Sequence, residues 1–255
     1  MRQANDIVLK MSPAATLVFS PHQCQRKTED HKFIVPNMES IMPNDSIATY
    51  KTYNIVPGPK MGMVTPEFLE TIARIAREHK IPLLKFTEAQ RLAFIGQAPE
   101  EVEQIWQELG HGSGPQKPVG IHYIKACPGK SWCKYGVQDS LSLGAKIEKA
   151  LLGLPLPAKT KVGVSGCSMN CCEGFVRDLG IFGKKNGWTL VFGGNGAGRP
   201  RFGDIIGEGL TDDELLALAE KVLRYYSSNA RKRERTARFM DRTPLSELKM
   251  ALATP

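Results

Sequence analysis

Apolar and polar positions along the chain become regular at about residue 49. The pattern predicts a strand over 49–56, followed by a helix that begins with Thr65 as N-cap and Pro66 as first helical residue. A hydroxyl at the N-cap accepts from a free backbone N–H, and proline is tolerated in the first turn. The predicted helix has three apolar residues on one side: Leu69, Ile72 and Ile75.

Further strands and a second helix follow in the same region. Apolar stretches predict strands at 81–86, 92–95 and 119–125, and a helix begins after Pro99 and ends at Gly110. Four apolar residues of this helix recur at i, i+3, i+4 and i+7: Val102, Ile105, Trp106 and Leu109. The order βαββαβ is that of the ferredoxin-like split βαβ unit.

The second half of the chain predicts another mixture of helices and strands. We expect a helix over about 137–151 and strands at 160–165, 178–183 and 188–193, the last two joined through an Asn-Gly turn. Thr211 and Glu214 form a capping box at the start of a long helix, and a last helix begins near Pro244. The predicted fold class is therefore α+β.

The first 46 residues show neither the helical nor the strand period. We expect residues 1–46 to be a poorly ordered N-terminal extension, before a half-domain over 47–115 and a second domain over 116–255. Met38 or Met42 could be the native start, which N-terminal sequencing of the native protein would test.

Composition and charge limit the class of protein. The 255 residues are 42% hydrophobic, and no apolar run reaches the roughly 20 residues that span a bilayer. Because no secretory signal is recognised either, we expect a cytoplasmic protein without a membrane partner. The formal net charge of +8 suits nucleic acid, a polycarboxylate cofactor, a small oxyanion or an acidic electron carrier, and does not choose among them.

Cysteines supply the candidate chemistry. Cys127 and Cys133 lie in ACPGKSWCKYG, and Cys167 and Cys171 lie in VSGCSMNCCEG, both rich in glycine and small residues. Thiolates are soft ligands, and four of them from two loops can enclose an iron-sulfur cubane. Structural zinc ligands are usually two to four residues apart, so the five-residue spacing fits zinc less well, and zinc remains the alternative.

Two further cysteines are left over. Cys172 directly follows the last candidate ligand, and we expect it to be a buried small residue because free cysteine packs readily in cores. Cys24 lies in the N-terminal extension and has no predicted role.

The cysteine motifs resemble the cluster signature of the siroheme-dependent nitrite and sulfite reductases. Similar segments flank them: PGPKMGMVTPEFL, KFTEAQRLAFIG, GVQDSLSLG, GGNGAG and RERTARF. The resemblance covers roughly residues 47–251. It is closest to the siroheme module of the NADH-dependent assimilatory nitrite reductase large subunit, and next to small assimilatory-type sulfite reductases.

The resemblance implies a fold, cofactors and a reaction. It implies a ferredoxin-like half-domain followed by an α+β domain that holds a 4Fe-4S cluster and siroheme. Cys127, Cys133, Cys167 and Cys171 would bind the cluster, and Cys171 would bridge it to the siroheme iron. The implied reaction is the six-electron reduction of nitrite to ammonia or of sulfite to sulfide, with nitrite favoured by the module resemblance.

The resemblance also assigns catalytic and cofactor-binding residues. Lys159 and Lys161 match a Lys-x-Lys beside the bound anion, where two ammonium groups would attract an oxyanion and supply protons; on a strand they would share a face. The predicted siroheme-binding residues are Lys85, Thr87, Gln90, Arg91, Gly194, Asn195, Gly196, Arg199 and Arg201. Ala89 stands where the family commonly has arginine, which puts a full sulfite-type anion pocket in doubt.

Partners and alternatives complete the expectations. The chain has no flavin or nicotinamide fingerprint, so electrons would come from ferredoxin or a separate reductase. Longer family members carry two copies of this module, so a single copy predicts a homodimer.

A non-catalytic electron-transfer or siroheme-binding protein is the alternative to a reductase. A zinc-containing nucleic-acid binder is disfavoured because few aromatics accompany the basic stretch 231–238. This stretch is interpreted as a solvated helix face; cofactor binding across a dimer and docking of an acidic ferredoxin are its alternatives.

Overall fold

A computed structural model describes residues 50–110 and 119–253, all within one compact unit, Pro43–Pro255. The predicted extension 1–46 and Cys24 therefore lie outside the described residues. No helix of the described segments is long and apolar enough to cross a membrane.

The first region contains a small antiparallel sheet and two helices. Its strands are β1 (Tyr53–Ile55), β2 (Leu83–Phe86) and β3 (Leu92–Ile95), in the order β1-β3-β2. The helices are α1 (Pro66–Glu78) and α2 (Val102–Glu108), the latter preceded by a 3-10 turn at Pro99–Glu101. Thr65 caps α1 as predicted, because its hydroxyl accepts from the backbone N–H of Phe68 at 3.2 Å.

The strand predicted at 119–125 exists but belongs to the other sheet, which corrects the βαββαβ assignment of the first region. It forms β4 (Ile121–Ala126) and pairs in parallel with β5 (Thr160–Ser165). Apolar periodicity identifies a strand but not its partner, because the partner is chosen by contacts that are distant in the sequence. Among the described residues the small sheet therefore has three strands.

The second region is built on a five-stranded mixed sheet in the order β4-β5-β6-β7-β8. Strands β6 (Leu179–Lys184) and β7 (Gly187–Phe192) agree with the prediction within one residue. Strand β8 (Asp204–Leu210) was not predicted, because its two glycines and two acidic residues interrupt any apolar alternation. It forms because it pairs antiparallel with β7.

Four helices cover this sheet: α3 (Ser140–Leu151), α4 (Asp212–Asn229), α5 (Thr236–Arg242) and α6 (Leu245–Ala253). The predicted capping box opens α4. Helix α3 begins three residues later than predicted, where the Asp139 side chain accepts from the Ser142 N–H at 3.1 Å. Helix α5 overlaps the basic stretch interpreted as a helix face, but its bounds were not predicted; it buries Phe239 and Met240 in the core.

Candidate functional site

The two cysteine segments follow neighbouring parallel strands. Cys127 comes directly after β4 and begins the first cysteine loop (127–136); Cys167 lies just after β5, in the second cysteine loop (166–174). Parallel strands end at the same edge of a sheet, so both loops lie there. The N–H of Cys127 donates to the carbonyl of Val164 at 3.0 Å. The topology thus brings together the two motifs identified in the sequence.

Hydrogen bonds join the two cysteine loops directly. The backbone N–H of Gly166 donates to Sγ of Cys127 at 3.0 Å. In return, the backbone N–H groups of Val137 and Gln138 donate to the carbonyl of Gly166, each at 2.9 Å. The residues that follow the first loop are therefore used to hold the second, which is why α3 begins only after them.

The first cysteine loop is a tight turn around Gly129. This glycine has φ +68°, a left-handed conformation that favours glycine, and its carbonyl accepts from the N–H of Cys133 at 2.9 Å. A Cβ on Gly129 would also collide with the hydroxyl of Ser140. That hydroxyl donates to the carbonyl of Cys127 at 2.7 Å. The small residues of the motif therefore allow the loop to close against α3.

The four candidate thiols all lie in the two cysteine loops. Cys171 is exposed and the other three are partly buried. Among the residues that the structure describes, no three His, Cys, Asp or Glu side chains are arranged to hold one metal ion. A tetrahedral zinc site needs its ligands to converge, whereas cubane ligands bind four separate iron atoms. The N–H bond to Sγ of Cys127 is also of the kind that tunes cluster potentials.

Cys172 is a packed thiol, as the sequence predicted. It is 1% exposed, and burial raises its pKa to about 11. Its N–H donates to the hydroxyl of Ser165 at 2.9 Å. The side chain therefore contributes to the core beneath the second cysteine loop.

A polar cavity of about 380 Å³ lies beside the second cysteine loop. Its wall includes three of the predicted site residues: Lys161 of β5, and Asn195 and Gly196 of the loop after β7. Arg177 and Arg235 add two guanidinium groups. Three carboxylates are also in the wall: Glu88, Glu173 and Asp178. Arg177 pairs with Glu88 and Glu173, and Arg235 pairs with Asp178, so Lys161 is the cation of this wall that can attract a small oxyanion.

Lys159 and Lys161 differ in exposure, although the sequence predicts that they share one face of a strand. Pairing in β5 begins at Thr160, so Lys159 precedes the ladder and is exposed. Lys161 is half-buried, and its N–H donates to Oδ2 of Asp178 at 2.8 Å. The alternation of faces holds only within a strand, so these two lysines have different surroundings.

The loop after β7 is held by its own bonds. Asn195 and Arg201 exchange two backbone hydrogen bonds, each at 2.9 Å. The Arg201 guanidinium donates to the carbonyl of Gly193 at 3.1 Å and to the carboxylates of Asp204 at 2.7 Å and Asp241 at 3.1 Å. This guanidinium is therefore occupied by protein partners.

Gly194 and Arg199 lie in the same loop. A Cβ on Gly194 would collide with the backbone carbonyl oxygens of Phe175 and Arg177, so glycine allows this loop to approach the segment after the second cysteine loop. Arg199 is exposed, and its carbonyl accepts from Nδ2 of Asn195 at 2.7 Å.

The turn at 87–91 contacts the first cysteine loop through Gln90. The amide of Gln90 donates to the carbonyl of Ala126 and accepts from its N–H, both at 3.0 Å. The Thr87 hydroxyl accepts from the N–H of Arg91 at 3.1 Å and closes the turn. Two predicted cofactor-binding residues thus hold the half-domain against the residue before Cys127.

Lys85 and Arg91 lie away from the polar cavity. Lys85 is exposed on β2. The Arg91 guanidinium lies 5.6 Å from the ring centre of Tyr123 and 3.4 Å from Nε2 of His122. It lines a separate cavity of about 100 Å³ together with the buried Ala89.

Sequence reasoning missed a charged network around Arg177. This residue is 8% exposed and forms ion pairs with Glu88 and Glu173. Burial raises the pKa of Glu88, but hydrogen bonds from Lys125 and Arg177 outweigh it and lower that pKa to about 2. Burial raises the pKa of Tyr123 to about 12. The sequence feature that could have indicated this network is a charged residue between a cysteine loop and a buried strand, where charged side chains are rare unless they are paired.

Asp178 is the second residue that was missed. It is 1% exposed and accepts from the guanidinium of Arg235 at 2.6 Å and from the hydroxyl of Thr236 at 2.6 Å. This corrects the interpretation of the basic stretch 231–238 as only a solvated helix face. Arg235 was read as solvated because its buried partner is distant in the sequence.

Comparison with known proteins agrees with this architecture. Residues 120–254 match the nitrite and sulphite reductase 4Fe-4S domain, and residues 48–111 match the nitrite/sulfite reductase ferredoxin-like half domain. The chain therefore belongs to the nitrite and sulfite reductase family, and the resemblance and fold class expected from the sequence are confirmed.

Individual relatives include reductases of both anions. The chain is 41% identical over 201 residues to the assimilatory-type sulfite reductase of Nitratidesulfovibrio vulgaris, covering 79% of this chain and 92% of that protein. It is 37% identical over 204 residues to the NAD(P)H nitrite reductase of Bacillus subtilis, covering 80% of this chain but only 25% of that relative. The fold is similar to that of dissimilatory sulfite reductase I, with a TM-score of 0.65 and 14% identity over 80% of this chain and 69% of that one.

Family membership makes the protein an oxidoreductase and supports both expected cofactors, the 4Fe-4S cluster and siroheme. The cysteine loops fit the cluster. Around the polar cavity, Lys161 and the loop that carries Asn195 and Gly196 are the groups that could face the carboxylates of siroheme.

Proposed function

We propose that this protein reduces nitrite to ammonia or sulfite to sulfide, using a 4Fe-4S cluster and siroheme. The observation that carries this proposal is the meeting of the two cysteine loops at one edge of the sheet, with the Gly166 N–H directed at Sγ of Cys127. When bound, the two cofactors would pass on, one at a time, the six electrons that the separate donor delivers, while the protein's own residues bind and orient the anion.

The proposed cluster ligands are Cys127, Cys133, Cys167 and Cys171. Cys171 is the most exposed of them, which supports its assignment as the bridge to siroheme, because a bridging thiolate must be reachable from outside the cluster. The packing of Cys172 in the core beneath the second cysteine loop supports leaving it out of this set.

Lys161 is the proposed anion-binding and proton-donating residue. It lines the polar cavity from β5, next to the loop that carries Asn195 and Gly196. Asn195 and Gly196 are proposed to contact siroheme carboxylates. Lys159 is exposed and outside the strand, so its proposed contribution is attraction of the anion at longer range.

The other predicted siroheme residues are proposed to support the site rather than to line it. Gly194 and Arg201 shape the loop after β7, and Thr87 and Gln90 hold the turn at 87–91. Lys85, Arg91 and Arg199 would contact siroheme only if the macrocycle extended beyond the polar cavity.

Electrons are proposed to come from ferredoxin or a separate reductase. The surface of the first cysteine loop supports an acidic donor, because the loop holds Lys130 and Lys134 and no acidic side chain. Trp132 and Tyr135 of the same loop are 79% and 60% exposed. A cationic surface with exposed aromatic groups next to a cluster ligand is suited to docking an acidic electron carrier.

A non-catalytic electron-transfer protein is the second candidate function. It is favoured by Ala89, which supplies no cation, and by Gln90 and Arg201, whose polar groups are occupied by protein partners. Such a protein would keep the cluster but turn over neither anion.

The absorption spectrum of anaerobically purified protein, with iron and acid-labile sulfide counts, tests the proposal. We expect siroheme bands together with cluster iron, and a band shift when nitrite or sulfite is added to the reduced form. The anion with the larger shift and the faster steady-state reduction is the substrate. Iron-sulfur without siroheme would leave the electron-transfer function, and zinc without iron would contradict both.

A further inference from the structure

Arg177 is a buried arginine that connects three parts of the molecule. It lies on the segment that leaves the second cysteine loop, and its side chain is 9% exposed. Its Nε donates to the carbonyl of Cys172 at 3.3 Å, and its Nη2 donates to the carboxylate of Glu173. Both partners lie within two residues of Cys171.

The remaining contacts of this guanidinium are on other elements. Nη1 donates to the Tyr123 hydroxyl on β4 at 2.8 Å, and Nη2 also donates to the carboxylate of Glu88 in the turn at 87–91. One planar group thus contacts the second cysteine loop, the strand before the first cysteine loop, and the half-domain. A lysine could not reproduce this, because its ammonium is a compact point charge rather than a planar fork of donors.

Lys125 completes the arrangement. Its ammonium donates to Glu88 at 3.0 Å and to Glu173 at 3.5 Å, so both carboxylates are shared between two cations. The carbonyl of Cys172 is also packed tightly, because a Cβ on Gly163 of β5 would collide with it. The peptide that follows Cys171 is therefore held by close packing against β5 and by the hydrogen bond from Arg177.

We infer that Arg177 is a positioning residue, which holds the second cysteine loop and the Cys171 thiol in register with the turn at 87–91 and the polar cavity. The inference rests on the proposed function in taking Cys171 as a cluster ligand. Arg177 acts through the hydrogen bonds to Cys172 and Glu173 and has no direct contact with cofactor or substrate in this role.

The test compares Arg177→Gln and Arg177→Lys with Arg242→Gln. Arg242 makes a similar set of contacts, with Glu234 and the carbonyl of Asn229, but on α5 and away from both cysteine loops. The measurements are the electron paramagnetic resonance spectrum of the reduced cluster, the rate of iron release to a chelator, and the melting temperature.

We expect Arg177→Gln to change the g-values and to release iron about 10-fold faster, the scale on which partners of ligand residues act. Arg177→Lys should change the g-values and the iron-release rate less than Arg177→Gln does. Arg242→Gln should lower the melting temperature without changing the spectrum. An unchanged spectrum and iron-release rate in Arg177→Gln would overturn the inference. A wild-type spectrum in Arg177→Lys would also overturn it, because charge alone would then suffice.

Two controls keep the result interpretable. If Arg177→Gln does not fold, Glu88→Gln weakens the ion pairs that Arg177 and Lys125 make with the turn at 87–91 and should itself change the g-values relative to the wild-type protein; no change would overturn the inference. Wild-type protein without cluster iron would overturn the proposed function and this inference together. If the wild-type protein holds the cluster and the variants show its spectrum and iron-release rate unchanged, the inference is overturned but the proposed function is not.

Discussion

Two lysines that are equivalent in the sequence motif have different surroundings in the structure. Lys161 lies half-buried in the wall of the polar cavity, next to Arg177 and Asp178. Lys159 is exposed, one residue before the strand begins. An ammonium group acts more strongly on an anion where less water separates them, so burial separates the roles of these residues.

Replacing the two lysines tests this difference. Lys161→Ala should lower kcat/KM for the anion substrate about 100-fold, the range expected for loss of a positioned proton donor. Lys159→Ala should lower it less, and both should keep the siroheme spectrum. Steady-state kinetics with both anions measure the effect. Equal losses of kcat/KM in the two variants would contradict the different roles assigned to Lys161 and Lys159.

At the level of elements, the first cysteine loop connects the proposed cluster to the surface. Its backbone is closed by the bond from Cys133 to Gly129, and its exposed side chains include two aromatic and two cationic groups and no acidic one. The turn between β6 and β7 lies beside it, since Gln138 donates to the carbonyl of Lys184 at 2.9 Å, and adds the exposed Lys185. These elements together form a cationic surface next to a cluster ligand.

Charge reversal on this loop should weaken docking of an acidic donor. We expect Lys130→Glu with Lys134→Glu to lower the affinity for a purified acidic ferredoxin at low ionic strength by about 10-fold or more. Reduction by methyl viologen, a small donor that needs no docking surface, should be unchanged. Isothermal titration calorimetry measures the affinity.

The matched control carries the same change of charge elsewhere. Lys149→Glu with Lys221→Glu alters two exposed lysines on α3 and α4. If both double variants lose affinity equally, net charge and not this loop attracts the donor.

At the scale of the whole molecule, the half-domain exposes an apolar groove of about 590 Å³ between α1 and β2. Leu69, Leu84 and Phe86 line it and are 42%, 38% and 70% exposed. Strand β2 is also an edge strand of the small sheet. An exposed apolar groove beside a strand edge that has no partner among the described residues is suited to a second copy of the chain, in line with the homodimer expected from the sequence.

Charge in the groove should disrupt such a dimer. Size-exclusion chromatography with light scattering is expected to give a dimer for the wild-type protein and a monomer for Leu69→Glu with Leu84→Glu. Leu152→Glu, at an exposed leucine outside the groove, should remain dimeric. A monomeric wild-type protein under active conditions would rule out the homodimer.

The sequence alone determined the features that depend on neighbouring residues. Local hydrogen bonding predicts the N-cap at Thr65 and the capping box at Thr211. Side-chain period predicts the strand at 160–165, and ligand chemistry gives the cysteine spacing its meaning. The tertiary structure alone decided which sheet takes the strand at 119–125, that β8 and α5 form, and that Lys161 and Lys159 differ. It also decided that Arg177 contacts Glu88. These outcomes depend on contacts between distant segments, and no local period or cap contains that information.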